Sequence, residues 1–202
     1  MKIILKPLIW SLLFISICFT ANAQSDTLRV GVAVEAASGA GIFGTGVNTD
    51  PGVPAVTAYH YGAGVSLHAD FPLNRTFTVS ASAGFNTFFT TGDVNGGQQV
   101  IYNTKPPQLE TIPLKLGVKW FTGKVFYFQG EAGETLLANK SQLYGLYSYA
   151  FTFSPGIGLL VPLKKPHTYI DAGFRFESFA SFYNDGAMNN FWGLHFAYMF
   201  NL

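Results

Sequence analysis

A strict alternation of side-chain polarity over residues 109–135 constrains the fold more than any other feature of the sequence. In its first half the alternate residues are apolar, namely Ile112, Leu114, Leu116, Val118 and Trp120. The residues between them include Thr111, Lys115, Gly117 and Lys119. Because a strand points successive side chains to opposite faces, this period of two predicts a strand with one apolar and one polar face.

The second half of this segment predicts the partner strand of a hairpin. Thr122-Gly123-Lys124 is typical of a short turn, and Phe126, Phe128 and Ala132 then alternate with Tyr127, Gln129 and Glu131. A turn of three residues places Trp120 near Phe126 and Lys115 opposite Glu131. The polar face of the hairpin would then carry opposite charges side by side.

The same alternation recurs along the chain and predicts eight strands. Besides the two strands of the hairpin, the pattern covers about 27–37, 58–71, 76–90, 150–161, 168–179 and a last strand from Trp192 to Leu202. The connections alternate in length: long ones at about 38–57, 91–108, 137–149 and 183–190, and short turns at 72–75, 122–124 and 162–166. An even number of roughly ten-residue strands with this spacing is typical of a transmembrane β-barrel. We therefore predict an all-β fold, an eight-stranded antiparallel up-and-down transmembrane barrel.

Composition and the N-terminus agree with export to a membrane. Only 11% of the residues are charged, against about 25% in ordinary globular domains, and the formal net charge of +1 indicates no nucleic-acid partner. Residues 1–23 have the basic start, apolar core and Ala21-Asn22-Ala23 motif of a secretory signal peptide. We predict cleavage between Ala23 and Gln24, which leaves 24–202 as the barrel domain.

The charged residues indicate which face of each strand looks inward. They lie opposite the apolar stripe, where glycines also collect, and a charged Lys or Arg on a lipid-facing surface costs roughly 2–4 kcal/mol at mid-bilayer. An eight-stranded barrel is just wide enough for side chains to fill. We therefore predict a packed polar lumen formed by Arg29, Glu35, His60, His68, Asp70, Lys115, Lys119, Glu131, Asp171, Arg175, Glu177 and His195.

Aromatic residues at the strand ends predict two girdles at the membrane interfaces. They are Tyr59, Tyr61, Tyr149 and Trp192 at the long-loop end, and Phe71, Phe77, Trp120, Phe126 and Phe200 at the short-turn end. Glu110 and Glu134 fall on the apolar face, which predicts either solvation at the rim or a carboxylate pair that shares a divalent cation with lipopolysaccharide.

Segment 109–121 also carries a resemblance. Glu110, Ile112-Pro113, Leu114, Leu116, Lys119 and Trp120 resemble a stretch of the outer-membrane β-barrel domain family that includes PorT, and the general layout is similar to OmpX-type barrels. Phe200 on the final aromatic strand resembles the signal read by the outer-membrane assembly machinery. The resemblance implies a protein of the Gram-negative outer membrane, in contact with its lipid and lipopolysaccharide.

Catalytic chemistry has little support in the sequence. Ser66, His68 and Asp70 share one strand face, but same-face neighbours are ~7 Å apart along a strand, longer than the ~3 Å hydrogen bond that nucleophilic catalysis needs. We expect no enzyme activity, no metal site and no cofactor. The expected role is envelope structure or surface interaction through loops 38–57 and 91–108. The alternatives are a PorT-like component of a secretion or assembly system with a protein partner, a lipid- or lipopolysaccharide-modifying enzyme, a pore, and a soluble carrier with an oily interior.

Overall fold

A computed structural model of the chain describes residues 27–41, 43, 59–90, 108–140, 147–182 and 188–202. The predicted signal peptide, with its cleavage site between Ala23 and Gln24, lies outside the described residues. None of the described residues forms a helix that is long and apolar enough to cross a membrane.

Eight antiparallel strands form a closed barrel. They are β1 (Arg29–Ala40), β2 (Tyr61–Pro72), β3 (Phe77–Phe89), β4 (Leu109–Phe121), β5 (Phe126–Leu137), β6 (Tyr149–Pro162), β7 (Thr168–Ala180) and β8 (Met188–Asn201). Each strand pairs with the next in the sequence, and β1 pairs with β8 to close the sheet. The predicted fold class is confirmed. The seven connections alternate in length as expected, so the three short turns share one end of the barrel.

The register of the β4–β5 hairpin differs from the prediction. Trp120 pairs with Phe128 rather than Phe126, and the position opposite Lys115 is Gly133 rather than Glu131. Phe121 pairs with Tyr127, so five residues rather than three separate the paired positions, and the Thr122 N–H donates to the Phe126 carbonyl, 3.2 Å away, within this turn. Lys115 nevertheless reaches Glu131 diagonally, with Nζ 3.3 Å from Oε2. The sequence pattern predicted which side chains share a face of the hairpin, but not how many residues the turn contains.

The outer surface of the barrel is apolar at most strand positions. Leu116 is 67% exposed, Val34 60% and Phe151 59%, and large apolar side chains project outward from every strand. Water-soluble monomers rarely expose apolar patches beyond a few hundred Å². Inside the barrel the pattern is reversed, since Lys119, Asp70 and Asp171 are fully buried. The barrel therefore buries these charged side chains in its interior and exposes apolar side chains on its outer surface.

Inward-facing glycines make room for the large side chains directly across the sheet. A Cβ added to Gly158 would collide with the Tyr127 ring, and one added to Gly173 would collide with the His195 ring. Each of these glycines is the register partner of the side chain that fills its space. The same one-to-one relation holds for Gly31 with Met199, Gly62 with Phe88, Gly64 with Asn86 and Gly117 with Glu131.

Candidate functional site: the lumen and its two ends

The lumen holds an ionic cluster near the short-turn end, centred on Lys119 of β4. Its Nζ lies 2.9 Å from Asp70 Oδ2 of β2 and 2.6 Å from Asp171 Oδ2 of β7. The Tyr127 hydroxyl donates to Asp171 Oδ1 at 2.5 Å, and His195 Nε2 lies 3.4 Å from the same oxygen. The contacts of Lys119 and Tyr127 join strands that are not neighbours in the sheet, so they tie opposite walls of the barrel together, whereas His195 and Asp171 lie on the neighbouring strands β8 and β7.

A second ionic cluster lies nearer the long-loop end. Lys115 contacts both Glu131 and Glu177, with Nζ–O distances of 3.3 and 2.7 Å. Arg175 bridges Glu177, at 3.0 Å through Nε, and Glu35, at 2.5 Å through Nη2. Buried ion pairs of this kind contribute little net stability, but removing one partner leaves an uncompensated buried charge. The clusters therefore act chiefly as constraints on which side chains can occupy the lumen.

Two histidines connect the clusters. The His68 and His195 rings stack with centroids 5.6 Å apart. His68 Nε2 also lies 2.9 Å from Ser66 Oγ, while the Ser66 hydroxyl donates to Glu35 Oε1. The expectation that Ser66 and His68 are too far apart to hydrogen-bond is wrong, because both side chains lean toward each other within the narrow lumen.

This hydrogen bond does not form a catalytic triad. The hydroxyl proton of Ser66 is directed to Glu35 instead of the His68 ring, and Asp70 is bound by Lys119 instead of orienting the histidine. The cavity beside His68 holds about 10 Å³, close to the least that one water needs. The cavity beside Glu35 and Arg175 holds about 0 Å³. These two cavities leave no room for a substrate beside His68 or Glu35.

Ten of the twelve residues predicted for the polar lumen belong to these clusters, and Arg29 and His60 do not. Arg29 begins β1 at the short-turn end, where Lys119 already occupies its register partner Asp70. His60 precedes β2, and its ring lies 6.3 Å from that of Tyr61, which is 63% exposed. His60 is half-buried, and its backbone bonds both neighbouring strands, with Gly39 N–H donating to its carbonyl and its own N–H donating to the Phe89 carbonyl. Its place in the lumen network stays a prediction.

The long-loop end of the lumen is closed by aromatic side chains rather than polar ones. Phe43, from the first long connection, stacks on Tyr59 with ring centroids 5.2 Å apart and packs edge-on against Phe88 at 5.3 Å and Phe179 at 5.7 Å. Among the described residues, the aromatic cap comprises Phe43, Tyr59, Phe88, Leu109, Leu137, Ala150, Phe179, Phe182 and Phe191. The predicted polar plug is therefore corrected for this end, where an apolar layer covers the charges.

Tyr59 was predicted to belong to the outer aromatic girdle, and that placement is wrong. It precedes β2, its N–H donates to the Phe43 carbonyl at 2.8 Å, and it is 8% exposed within the cap. The other predicted girdle residues point outward and are at least partly exposed: Tyr61, Phe71, Phe77, Trp120, Phe126, Tyr149, Trp192 and Phe200. Trp120 also packs on Phe128, with ring centroids 5.7 Å apart.

The short-turn end of the lumen is an open cup of about 660 Å³. Its lining includes Arg29, Arg75, Lys124 and Tyr169, and its floor includes Phe121 and Leu160. Phe121 and Leu160 belong to an apolar cluster with Tyr127 and Met199. The two ends thus differ, with an aromatic cap at one and a basic, water-accessible cup at the other.

The two outward carboxylates do not form a pair. Glu134 aligns with Leu114, whereas Glu110 lies four residues away on β4 and aligns with Thr87. Four residues along a strand span ~13 Å, so the two carboxylates cannot share one cation, and the hypothesis of a rim pair is corrected. Within the described residues, no group of three or more His, Cys, Asp or Glu side chains is arranged to hold a metal ion.

Sequence reasoning missed three participants in the lumen. Tyr127 was placed on the inner face but not in the polar network, although its hydroxyl bonds Asp171. Ser66 joins the network although the spacing of residues along a strand predicts that it is too far from His68. Phe43 lies in a glycine-rich connection with no periodic pattern, so nothing in the sequence indicates that its ring enters the barrel.

Comparisons with known proteins match the fold without a close relative. No protein-family model matches the chain, and no curated protein is significantly similar to it. The outer membrane protein Ail of Yersinia pestis in a phospholipid bilayer nanodisc is 14% identical, with coverage of 87% of this chain and 100% of that one and a TM-score of 0.48. The outer membrane protein AlkL in DMPC lipid bilayers is 12% identical, with coverage of 87% and 90% and a TM-score of 0.45. A de novo designed transmembrane β-barrel is 12% identical, with coverage of 87% and 95% and a TM-score of 0.42. Likenesses at this level of identity concern the fold alone.

Proposed function

We propose that the chain is an integral outer-membrane protein whose strands cross the bilayer. The main observation behind this proposal is the segregation of side chains, with hydrocarbon outside and ten ionisable residues packed inside. The strands hold 12 to 14 residues, more than the roughly 9–11 that a tilted transmembrane strand needs. Closure through β1 and β8 leaves no free sheet edge, as a structure inside lipid requires.

The topology supports one orientation in that membrane. In barrels of this class the short turns face the periplasm and the long connections face outward. The basic cup would then open to the periplasm, and the aromatic cap would lie beneath the external loops. Export by the predicted signal peptide and insertion by the outer-membrane assembly machinery complete this assignment, in line with the resemblance of segment 109–121 to the barrel family that includes PorT.

The closed lumen supports a non-enzymatic role in surface interaction or envelope structure. A pore needs a continuous aqueous path, whereas here the ionic clusters and the aromatic cap fill the axis. An enzyme needs room for a substrate, and the cavity beside His68 holds about one water. The parts of the molecule left for recognition are the long connections on one side and the cup on the other. We assign partner binding to the two longest connections.

Membrane fractionation tests the location. Integral placement predicts that the protein stays with the outer-membrane fraction after washes with high salt and alkaline carbonate and leaves it only with detergent. Release by salt alone would favour the soluble carrier and refute the assignment.

Loop deletion tests the role. Replacing connection 90–108 by a four-residue turn copied from 73–76 should leave a folded barrel, because that connection lies outside the strands. We expect the shortened form to lose the partners that the wild type captures from intact cells. A control form in which turn 122–125 is replaced by the same 73–76 turn should still capture them. Equal capture by both forms would contradict a role for this loop.

A further inference from the structure

The basic cup at the short-turn end has the composition of an anion site. Arg29, Arg75 and Lys124 line it, and no Asp or Glu is among the described residues of its wall. Lys164 and Lys165 lie exposed in the third short turn of the same end. None of these five basic side chains forms an ion pair with any described residue. The cations of the lumen, in contrast, each contact two carboxylates.

Arg29 is held at the wall of the cup with unused hydrogen-bonding capacity. Its guanidinium lies over the Tyr169 ring, 5.5 Å from the centroid. Its Nε is buried without a hydrogen-bond partner among the described residues. Leaving such a donor unpaired is costly in a folded protein. A guanidinium fork that is already positioned by an aromatic ring matches the geometry of a phosphate or carboxylate.

The cup also has the size and the access of a small-molecule site. Its volume of about 660 Å³ lies within the range of ligand pockets, roughly 300–1,000 Å³. Thr76, Thr78 and Asn74 add polar groups around the cations. Phe121 and Leu160 close the floor, so an anion would stop there and not pass into the lumen.

We propose that this cup binds a polyvalent oxyanion, with phosphate as the recognised group. Arg29 holds it near the floor, and Arg75 and Lys124 contact it from the rim. The cup itself is independent of the proposed function, which decides only that it opens to the periplasm. The same phosphate chemistry can come from a soluble phosphorylated compound or from the headgroup of an anionic phospholipid in the inner leaflet.

Calorimetric titration with inorganic tripolyphosphate tests the site in the full-length barrel. The mature protein should be held in a non-ionic detergent, which supplies no competing phosphate. We expect saturable binding that weakens at least tenfold in Arg29→Gln and severalfold in Arg75→Gln. Arg75→Gln is the safer variant for folding, because Arg75 is exposed in a short turn.

Lys140→Gln is the matched control. It removes the same charge at the opposite end of the barrel, where Lys140 Nζ contacts Ser148 Oγ at 2.7 Å. Binding should be unchanged in this variant. If the wild type does not bind tripolyphosphate, or if Lys140→Gln weakens binding as much as both cup variants do, the site does not exist and the attraction is one of overall charge.

Nanodiscs distinguish the two sources of phosphate. In discs of phosphatidylcholine alone, whose headgroup has no net charge, tripolyphosphate should bind as it does in detergent. Phosphatidylglycerol added to the discs should compete with it if inner-leaflet headgroups fill the cup, and leave it unchanged if the ligand is soluble. Loss of binding in phosphatidylcholine discs would overturn the proposal. A failure of the fractionation test with retained binding would refute the membrane location and leave the cup in place.

Discussion

Replacing Lys119 by Met tests how the lumen holds the barrel together. Lys119 is completely buried, and its Nζ contacts Asp70 at 2.9 Å and Asp171 at 2.6 Å. Methionine keeps most of the volume but removes the charge that both carboxylates share. Breaking a buried ion pair by removing one partner costs about 3–5 kcal/mol. With a urea dependence of about 2 kcal/mol per M, the unfolding midpoint should fall by about 2 M.

The assay is urea unfolding of the barrel refolded into lipid vesicles, followed by the fluorescence of Trp120 and Trp192. Lys124→Met, on the exposed turn of the same hairpin, should leave the midpoint unchanged. The triple variant Lys119→Met, Asp70→Asn, Asp171→Asn should recover a large part of the loss, because no uncompensated charge remains. If Lys119→Met unfolds at the same urea concentration as Lys124→Met, the ionic cluster does not constrain the fold and the reasoning fails.

Two further substitutions and one conductance measurement test the two faces of the barrel. Gly158→Ala should destabilise the protein by about 1–3 kcal/mol through overpacking against Tyr127, whereas Gly130→Ala, which faces open space, should not; equal unfolding midpoints would contradict the packing of the lumen. Glu134→Leu should stabilise the vesicle-bound barrel by about 1 kcal/mol, since an outward carboxylate within lipid is unfavourable. The rise in the unfolding midpoint should be larger than that caused by Glu110→Leu at the strand end. A larger rise for Glu110→Leu would place Glu134 outside the bilayer. Planar-bilayer recordings of the wild type should show no discrete conductance, because the filled lumen holds about one water beside the histidines; stepwise currents would show an open path.

The strands were predictable because one physical constraint acts along their whole length. Lipid on one side and a narrow lumen on the other leave a period of two at nearly every position. The β4 bounds, 109–121, are those of the sequence pattern. The hairpin register was not predictable in the same way, because turns that leave three or five residues between the paired positions both keep Trp120 and Lys119 on their proper faces. Register depends on turn hydrogen bonds that residue types alone do not determine.

The sequence predicted which side chains face the lumen, but not which of them contact each other there. Alternation correctly turned Ser66, His68 and Lys115 inward, but it carries no information on how side chains lean within the barrel. A Ser66–His68 hydrogen bond of 2.9 Å and a diagonal contact from Lys115 to Glu131 both depend on side-chain conformations. Prediction failed entirely where alternation stops, at Phe43 and Tyr59, which enter the aromatic cap from outside the strands.

The basic cup shows a limit of a different kind. Arg75, Lys124 and Lys164 lie in separate short turns, where single basic residues at the surface are unremarkable. Only closure of the barrel brings the first two of these turns around Arg29 and Tyr169. A sequence shows which residues lie in turns, but their convergence on one cup depends on the radius and the tilt of the closed sheet.

The central claim is that the apolar outer face meets lipid, and depth-dependent fluorescence quenching tests it most directly. A single tryptophan is placed at Leu116, the outward position that is 67% exposed at the middle of β4, in a chain whose Trp120 and Trp192 are changed to Phe. In vesicles of lipid brominated on the acyl chains, we expect strong quenching of Leu116→Trp, and aqueous acrylamide should have almost no effect. Quenching by acrylamide with no response to the brominated chains would contradict the account.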